Sequence, residues 1–426
     1  MEWSYACIEC EKSFAIEPNR YLCDECAILQ RADRPLRGQL ELKFSGKLPE
    51  AWERLRDAVT DSEGAGQGGR IAGLGDEAVR TDALDAAIAK ADPRLLLPVD
   101  LGYFPAIPVG NTPLWKPTRL RNELALPNLF LKDDSANPTG SLKDRASYLV
   151  AAYARQHGLN QIVVASTGNA GSSMAGVGAA ADLSVRLYLP ASAPQAKMIQ
   201  ALQYGADLIR VEGNYDQAFD ESLADVATHG GLSRNTAYNP LTVEGKKTAA
   251  MEIFLQLGAR TPDVVYVPTG DGVILSGIYK GFENLRSLGL GSHIPELVSA
   301  QALGSAAITR ALELGDFGKP RAASTVADSI SVEVPRGGYF ALGRLQRHGG
   351  RCVTVSDEDI LSAQYRLSST SGLFAEPAAA AAFAALLADI GEERRLDKEA
   401  SVVVLLTGSG LKDIPSALRS FEHEQG

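Results

Sequence analysis

The sequence predicts an α/β protein made of two open, mostly parallel sheets covered by helices, preceded by a small cysteine-bearing ribbon. Short runs of valine, isoleucine and leucine recur, each followed by glycine and then by a helix-like stretch. The length, 426 residues, exceeds what one hydrophobic core usually fills. Four of the five cysteines fall within the first 26 residues.

In chain order the ribbon comes first. Cys7, Cys10, Cys23 and Cys26 form two C-x-x-C pairs with twelve residues between them. Thiolates so spaced, each pair on its own tight turn, converge tetrahedrally on one zinc ion without much backbone strain. Four protein ligands leave no open position, so the expected Zn2+ is structural. Two disulfides or four free thiols remain the alternatives, and a reducing compartment disfavours the first. Lys12, Arg20 and Arg31 are interleaved with Glu9, Glu11, Glu17, Asp24 and Glu25, so the ribbon, residues 1–38, shows no basic face. Cys352 stands alone in a strand-like run and reads as core packing.

Residues 39–106 read as a linker with short helices, polar and alanine-rich, with a flexible loop at Gly64, Gly66, Gly68 and Gly69. Beyond Pro108, strands are expected at 161–165, 185–189, 208–211, 264–267, 297–300, 352–355 and 402–406, rich in the residues of strands buried on both faces. Helices are expected at 172–181, 248–257 and 377–389, the last opening on Glu376-Pro377. The expected division is a large domain from 107–150 and 250–420, with 151–249 as a smaller α/β domain.

A formal charge of −10 argues against nucleic acid, and no apolar run is long enough to cross a bilayer. Met1-Glu2-Trp3-Ser4 lacks the basic and apolar stretches of a secretory signal. A cytoplasmic protein acting on a small molecule is the expectation.

Three glycine-bearing turns follow strand-like runs and precede helix-like ones: 166–171, 268–272 and 407–410. In parallel sheets, ligands sit at the carboxyl ends of strands, where N–H groups of turns and helix N-termini point at anions. Any one such turn can be purely conformational, but three point to a shared site. A fourth segment, Asn137-Pro138-Thr139-Gly140-Ser141-Leu142-Lys143-Asp144-Arg145, runs into a helix with Lys143 in its first turn. The helix dipole there should lower the pKa of the amine, which suits a Schiff-base lysine. The alternative is a solvated lysine paired with Asp144.

This segment resembles the cofactor-lysine motif of the threonine synthase branch of the tryptophan-synthase-β-like, fold type II, pyridoxal-phosphate enzymes, with Leu142 where phenylalanine is usual. Gly110-Asn111-Thr112-Pro113-Leu114 resembles the family's opening strand motif, Ser166 to Asn169 its substrate-carboxylate loop, and Leu405 to Asp413 its closing loop. Ser371 to Pro377 and the N-terminal ribbon also look like family segments, and the likeness runs from about Pro108 to the end. The resemblance implies that Lys143 binds pyridoxal 5'-phosphate covalently and moves protons between substrate carbons. It implies that Asn169 bonds the phenolic oxygen of the cofactor, that Gly270, Asp271, Gly272 and Val273 hold its phosphate, and that Thr407 faces its ring nitrogen. A neutral hydroxyl there limits carbanion build-up and favours β- and γ-chemistry over transamination. Ser166 and Thr167 would hold the substrate carboxylate.

The sequence departs from the family pattern twice. Asp271 puts a carboxylate in the phosphate loop, and Thr242 stands where threonine synthases usually present an arginine to the substrate's phosphate, with Thr236 and Ala237 where they have polar groups. Lys246, Lys247 or Arg336 are the cations that could replace it. The implied reaction is elimination or replacement on an α-amino acid with an anionic leaving group, with conversion of O-phosphohomoserine to threonine the nearest activity. Cysteate synthase-like, diaminopropionate-type and dehydratase activities are the rivals. A catalytically silent zinc-ribbon binding protein is the alternative of another class, and Lys143, Asn169 and Thr407 together argue against it. The family likeness implies a homodimer.

Overall fold

A computed structural model describes residues 1–64, 82–193, 195–391 and 396–425, and Gly66, Gly68 and Gly69 of the glycine-rich stretch lie outside them. At the N-terminus, β1 (Glu2–Cys7) pairs antiparallel with both β2 (Ser13–Phe14) and β3 (Leu40–Ser45). The ribbon sheet therefore reaches beyond residue 38 into what reads as linker. The described residues in the rest of that stretch are also built into the fold. Helix Glu50–Gly64 buries Trp52, Leu55 and Val59, and Trp52 Nε1 donates to Asp92 O at 3.0 Å. Those three residues recur at helical spacing, a pattern masked by the polar residues between them.

Two parallel-type sheets follow. Before them the chain forms β4 (Leu114–Trp115) and β5 (Leu129–Asp133). The smaller sheet consists of β6 (Gln161–Ala165), β7 (Ser184–Pro190), β8 (Asp207–Val211) and β9 (Leu232–Ser233), in the order β8-β7-β6-β9, all parallel. Then come β10 (Val264–Pro268), β11 (Glu296–Ala302), β12 (Arg351–Val355) and β13 (Val402–Leu406). They join the earlier pair in a sheet ordered β12-β11-β10-β13-β5-β4, parallel except for β4. Every run expected as a strand is one, and β4, β5 and β9 are additions. In β5, Lys132 and Asp133 break the apolar run, yet both are buried.

Parallel pairing puts the carboxyl ends of β5, β10 and β13 on one edge of the large sheet. Helix Leu241–Gln256 is buried from Leu241 to Leu255, on every side. Close approach makes this possible: a Cβ on Gly245 would lie 2.4 Å from Arg145 O, so only glycine lets this helix touch helix Lys143–Gln156 there. One cluster of charges inside this packing is mutually paired. Glu252 accepts from Lys132 Nζ at 2.7 Å and from Arg145 Nη1 at 2.6 Å, while Arg145 Nε donates to Asp134 at 2.6 Å. A cavity of about 770 Å³ lies beside this network, lined by Arg94, Phe104, Tyr148 and Glu252 among others, and does not include Lys143. Among the described residues no helix is long and apolar enough to cross a membrane.

Candidate active site

The turn before Lys143 is held by its own polar residues. Asn137 Oδ1 accepts Gly110 N at 3.0 Å, and the Asp144 carboxylate accepts Thr139 N at 2.8 Å and Thr139 Oγ1 at 2.5 Å. Asp144 is thus committed to closing the turn, and among the described residues Lys143 has no ion-pair partner. Lys143 opens its helix at the carboxyl end of β5, with Leu142 as cap. Leu142 N donates to Thr407 O at 2.9 Å and Ser409 N to Gly140 O at 3.0 Å, which ties the turn after β13 to the lysine turn. The amine's pKa is lowered chiefly by burial, with Glu376 and Asp271 opposing and Arg234 assisting. Its direction matches the expectation, but burial rather than the helix dipole is the main cause.

Facing this edge, the turn after β6 leads into helix Asn169–Ala180, with Gly168 N donating to Ser166 Oγ at 3.1 Å. Thr167 and Asn169 are half-buried, accessible to a ligand. Asn169 Nδ2 donates to Glu376 Oε2 at 2.9 Å and lies 3.3 Å from Ser329 Oγ. The donor that family likeness reserves for a cofactor oxygen is here held by a buried carboxylate.

After β10, Gly270 and Gly272 fit where no side chain could. A Cβ on Gly270 would lie 2.6 Å from Ile330 Cα, and Gly272 has φ +84°. Helix Val273–Ser287 begins there, and its first N–H groups have no helical acceptor. Asp271 accepts Arg336 N through its carboxylate and Gly337 N through its carbonyl, so the side chain is held by the 335–338 loop. Burial raises its pKa to about 6, against the opposing charge of Arg336.

The other expected substrate residues divide. Thr242 Oγ1 donates to Asn239 O at 2.7 Å and accepts Ala237 N at 3.3 Å, so this hydroxyl is spent on the start of its helix. Arg336 reaches outward to Asp216 at 2.5 Å, its guanidinium over the Phe219 ring. Lys247 pairs with Glu244 and Asn284 and faces the rings of Trp3 and Phe44. Lys246 alone turns toward the site: fully buried, it donates to Thr242 O at 2.8 Å and is depressed by burial and by the charges of Arg234 and Lys143.

Arg234 and Glu376 were not foreseen. Arg234 follows β9, itself missed, and is fully buried. Its Nε donates to Ser147 Oγ at 3.2 Å and its Nη1 to Thr236 Oγ1 at 2.7 Å. Ser147 lies one helical turn beyond Lys143, so Arg234 approaches the lysine's face of the helix. Glu376, just before helix Pro377–Gly391, carried the signal of a charged residue at a helix start; its pKa is raised by burial.

At the ribbon, the four cysteine Sγ atoms all lie within 4.8 Å of one another, and Cys10 and Cys23 are 3.7 Å apart. Thiolates about 2.3 Å from a tetrahedral zinc stand about 3.8 Å apart. All five cysteines are free.

Residues 106–408 match the sequence profile of the family described as pyridoxal-phosphate dependent enzyme. The threonine synthase of Methanocaldococcus jannaschii is 35% identical over 319 residues, 74% of this chain and 78% of that protein. The threonine synthase of Halalkalibacterium halodurans is 33% identical over 314 residues, covering 74% and 86%. Among solved structures, the processed form of threonine deaminase isoform 2 from Solanum lycopersicum superposes with a TM-score of 0.67 at 20% identity, over 82% of this chain and 90% of that one. At that identity the likeness concerns the fold.

Proposed function

The chain belongs to the pyridoxal-phosphate dependent enzymes, and we propose that Lys143 is the residue to which the cofactor is bound. The protein is a threonine synthase-like lyase acting on a small-molecule amino acid. The observation that carries the assignment of Lys143 is a half-buried amine that, among the described residues, has no ion-pair partner, at the meeting of three strand ends and tied through Leu142 N and Thr407 O to the turn after β13.

When bound, pyridoxal phosphate supplies an electron sink for negative charge at the substrate's α-carbon. The residues present fit such a group: free N–H groups open helix Val273–Ser287 behind Gly270 and Gly272, and Thr407 adjoins the lysine turn through its backbone carbonyl. Lys143, with its pKa lowered, takes the α-proton and returns it at a neighbouring carbon. Ser166, Thr167 and the N–H groups around Gly168 orient the substrate carboxylate. Asn169 and Glu376, bonded to each other, fix the polar wall opposite the lysine. Conversion of O-phosphohomoserine to threonine is the activity we assign first, since the curated relatives compared are named threonine synthases.

We further propose that Cys7, Cys10, Cys23 and Cys26 hold one structural zinc, supported by the sulfur spacing. A homodimer is also proposed, supported by Leu411, Ile414, Leu418 and Phe421, all exposed. The test is spectroscopic and kinetic. The purified protein should carry bound pyridoxal phosphate; Lys143→Ala should lose its covalent attachment and about 100-fold or more of its turnover. Retained turnover in that variant refutes the role of the lysine. O-phosphohomoserine, O-phosphoserine and threonine, compared as substrates, separate the activities.

A further inference from the structure

Arg234 is a cation with one hand empty. It is fully buried, its Nε and Nη1 are held by the neutral hydroxyls of Ser147 and Thr236, and its Nη2 has no partner among the described residues. Among the described residues no carboxylate lies within ion-pair distance of it. Lys246, also fully buried, has a backbone carbonyl as its acceptor and no carboxylate within that distance. Both lie within electrostatic reach of each other, and Lys143 within reach of both. Buried charge without a counter-ion is costly, and a guanidinium with a free N–H edge matches the geometry of an oxyanion. Two anions could answer: the cofactor's phosphate or a group on the substrate. The cofactor's phosphate is best served by the N-terminus of helix Val273–Ser287, beside Asp271. Arg234 instead leans on Ser147 of the lysine helix, and Ser147 accepts Ser173 Oγ at 2.8 Å from the helix that follows the 166–169 turn. That puts Arg234 on the substrate's side of Lys143.

We propose that Arg234, through its free Nη2, receives an oxyanion at the far end of the substrate's side chain, with Thr236 beside it and the Lys246 amine close by as a further donor. The site takes an amino acid whose side chain ends in a phosphate or a comparable oxyanion, and it does so without help from Thr242, whose hydroxyl is spent locally. This rests on the reading of Lys143 as the cofactor lysine.

Inorganic phosphate is the probe, titrated into the cofactor-loaded enzyme against chloride at equal ionic strength, with calorimetry as the readout. Loading fills the cofactor's own phosphate site, so what remains is the substrate's. Arg234→Gln should weaken phosphate binding by about 10- to 100-fold while leaving affinity for pyridoxal phosphate within about 2-fold, and Arg234→Lys should recover part of the loss. Thr236→Val, which frees Nη1 but keeps the charge, should weaken phosphate by about 5-fold and serves if Arg234→Gln does not fold. The proposal is overturned if the wild-type enzyme binds phosphate no better than chloride. It is equally overturned if Arg234→Gln binds phosphate as well as wild type, or if it loses pyridoxal phosphate as fully as inorganic phosphate. Borohydride reduction and peptide mapping that placed the cofactor on another lysine would sink the reading of Lys143 and leave the phosphate result standing.

Discussion

Replacing Glu252 with glutamine removes one negative charge from the point where three segments meet. The Glu252 carboxylate accepts Asn111 N at 2.7 Å, Thr112 N at 3.2 Å, Lys132 Nζ at 2.7 Å and both terminal nitrogens of Arg145 at 2.6 and 2.7 Å. Burial alone would raise its pKa, but Arg145 and Lys132 hold it at about 2 against an ordinary 4.5. Such a depression corresponds to about 3 kcal/mol of folding stability. Breaking a buried ion pair from one side typically costs about 3–5 kcal/mol, in agreement. Urea denaturation at pH 7 should show Glu252→Gln less stable by about 3 kcal/mol. Because the folded pKa is depressed, the contribution is complete above pH 4.5 and is lost as pH falls toward 2, so the gap between wild type and variant should shrink with acid. Arg145 is two residues past Lys143, so the variant should also bind pyridoxal phosphate more weakly. A gap below about 1 kcal/mol at pH 7, or one that widens as the pH is lowered, would refute the reasoning.

Asp271→Asn keeps an acceptor for Arg336 N but removes a negative charge from the phosphate loop, so affinity for pyridoxal phosphate should rise by about 3-fold or more above pH 6. Below that pH the wild-type carboxyl, raised to about 6, takes up its own proton and the two proteins should converge; a variant that binds more weakly at neutral pH contradicts this. Metal analysis of reduced protein should return one zinc per chain, and Cys23→Ser should lower both thermal stability and turnover. A metal-free protein with unchanged melting would remove the ribbon site.

What was legible in the sequence was whatever has a local signature. Strands β10 and β13 are unbroken apolar runs, and the lysine turn writes its own hydrogen bonds, Asn137 and Asp144 each answering a backbone N–H nearby in the fold. The losses came where tertiary contact overrides local pattern. Lys132 is tolerated inside β5 because Glu252, 120 residues away in sequence, neutralises it. Helix Leu241–Gln256 carries Glu244, Lys246, Lys247 and Glu252 inside the protein, so its polar residues hid a core helix and its start was misjudged by seven residues. Arg234 follows a strand of only two residues and carries no local signature in the sequence; only the three-dimensional neighbourhood shows that its side chain is enclosed and partly unanswered.

The same neighbourhood changes the meaning of the ribbon. Spacing of the cysteines suggested an appendage that could serve as a binding module. Instead Tyr21 Oη accepts Ser233 N at 2.9 Å, directly before Arg234, and Gln39 Nε2 donates to Ala237 O at 3.0 Å, directly after Thr236. Leu36 N donates to Arg336 O at 3.0 Å, on the loop that holds Asp271, and Lys280 Nζ donates to Leu42 O at 2.6 Å. The 232–239 segment contains a strand of two residues and no helix, so it has little secondary structure of its own to fix Arg234. An arginine that must present one N–H edge needs a backbone that does not drift, because a displacement of about 1 Å already degrades an oriented contact. The ribbon clamps that backbone on both sides of Arg234, so the zinc proposed for its four cysteines would, by stiffening the ribbon, act on the loop proposed to receive the substrate's oxyanion.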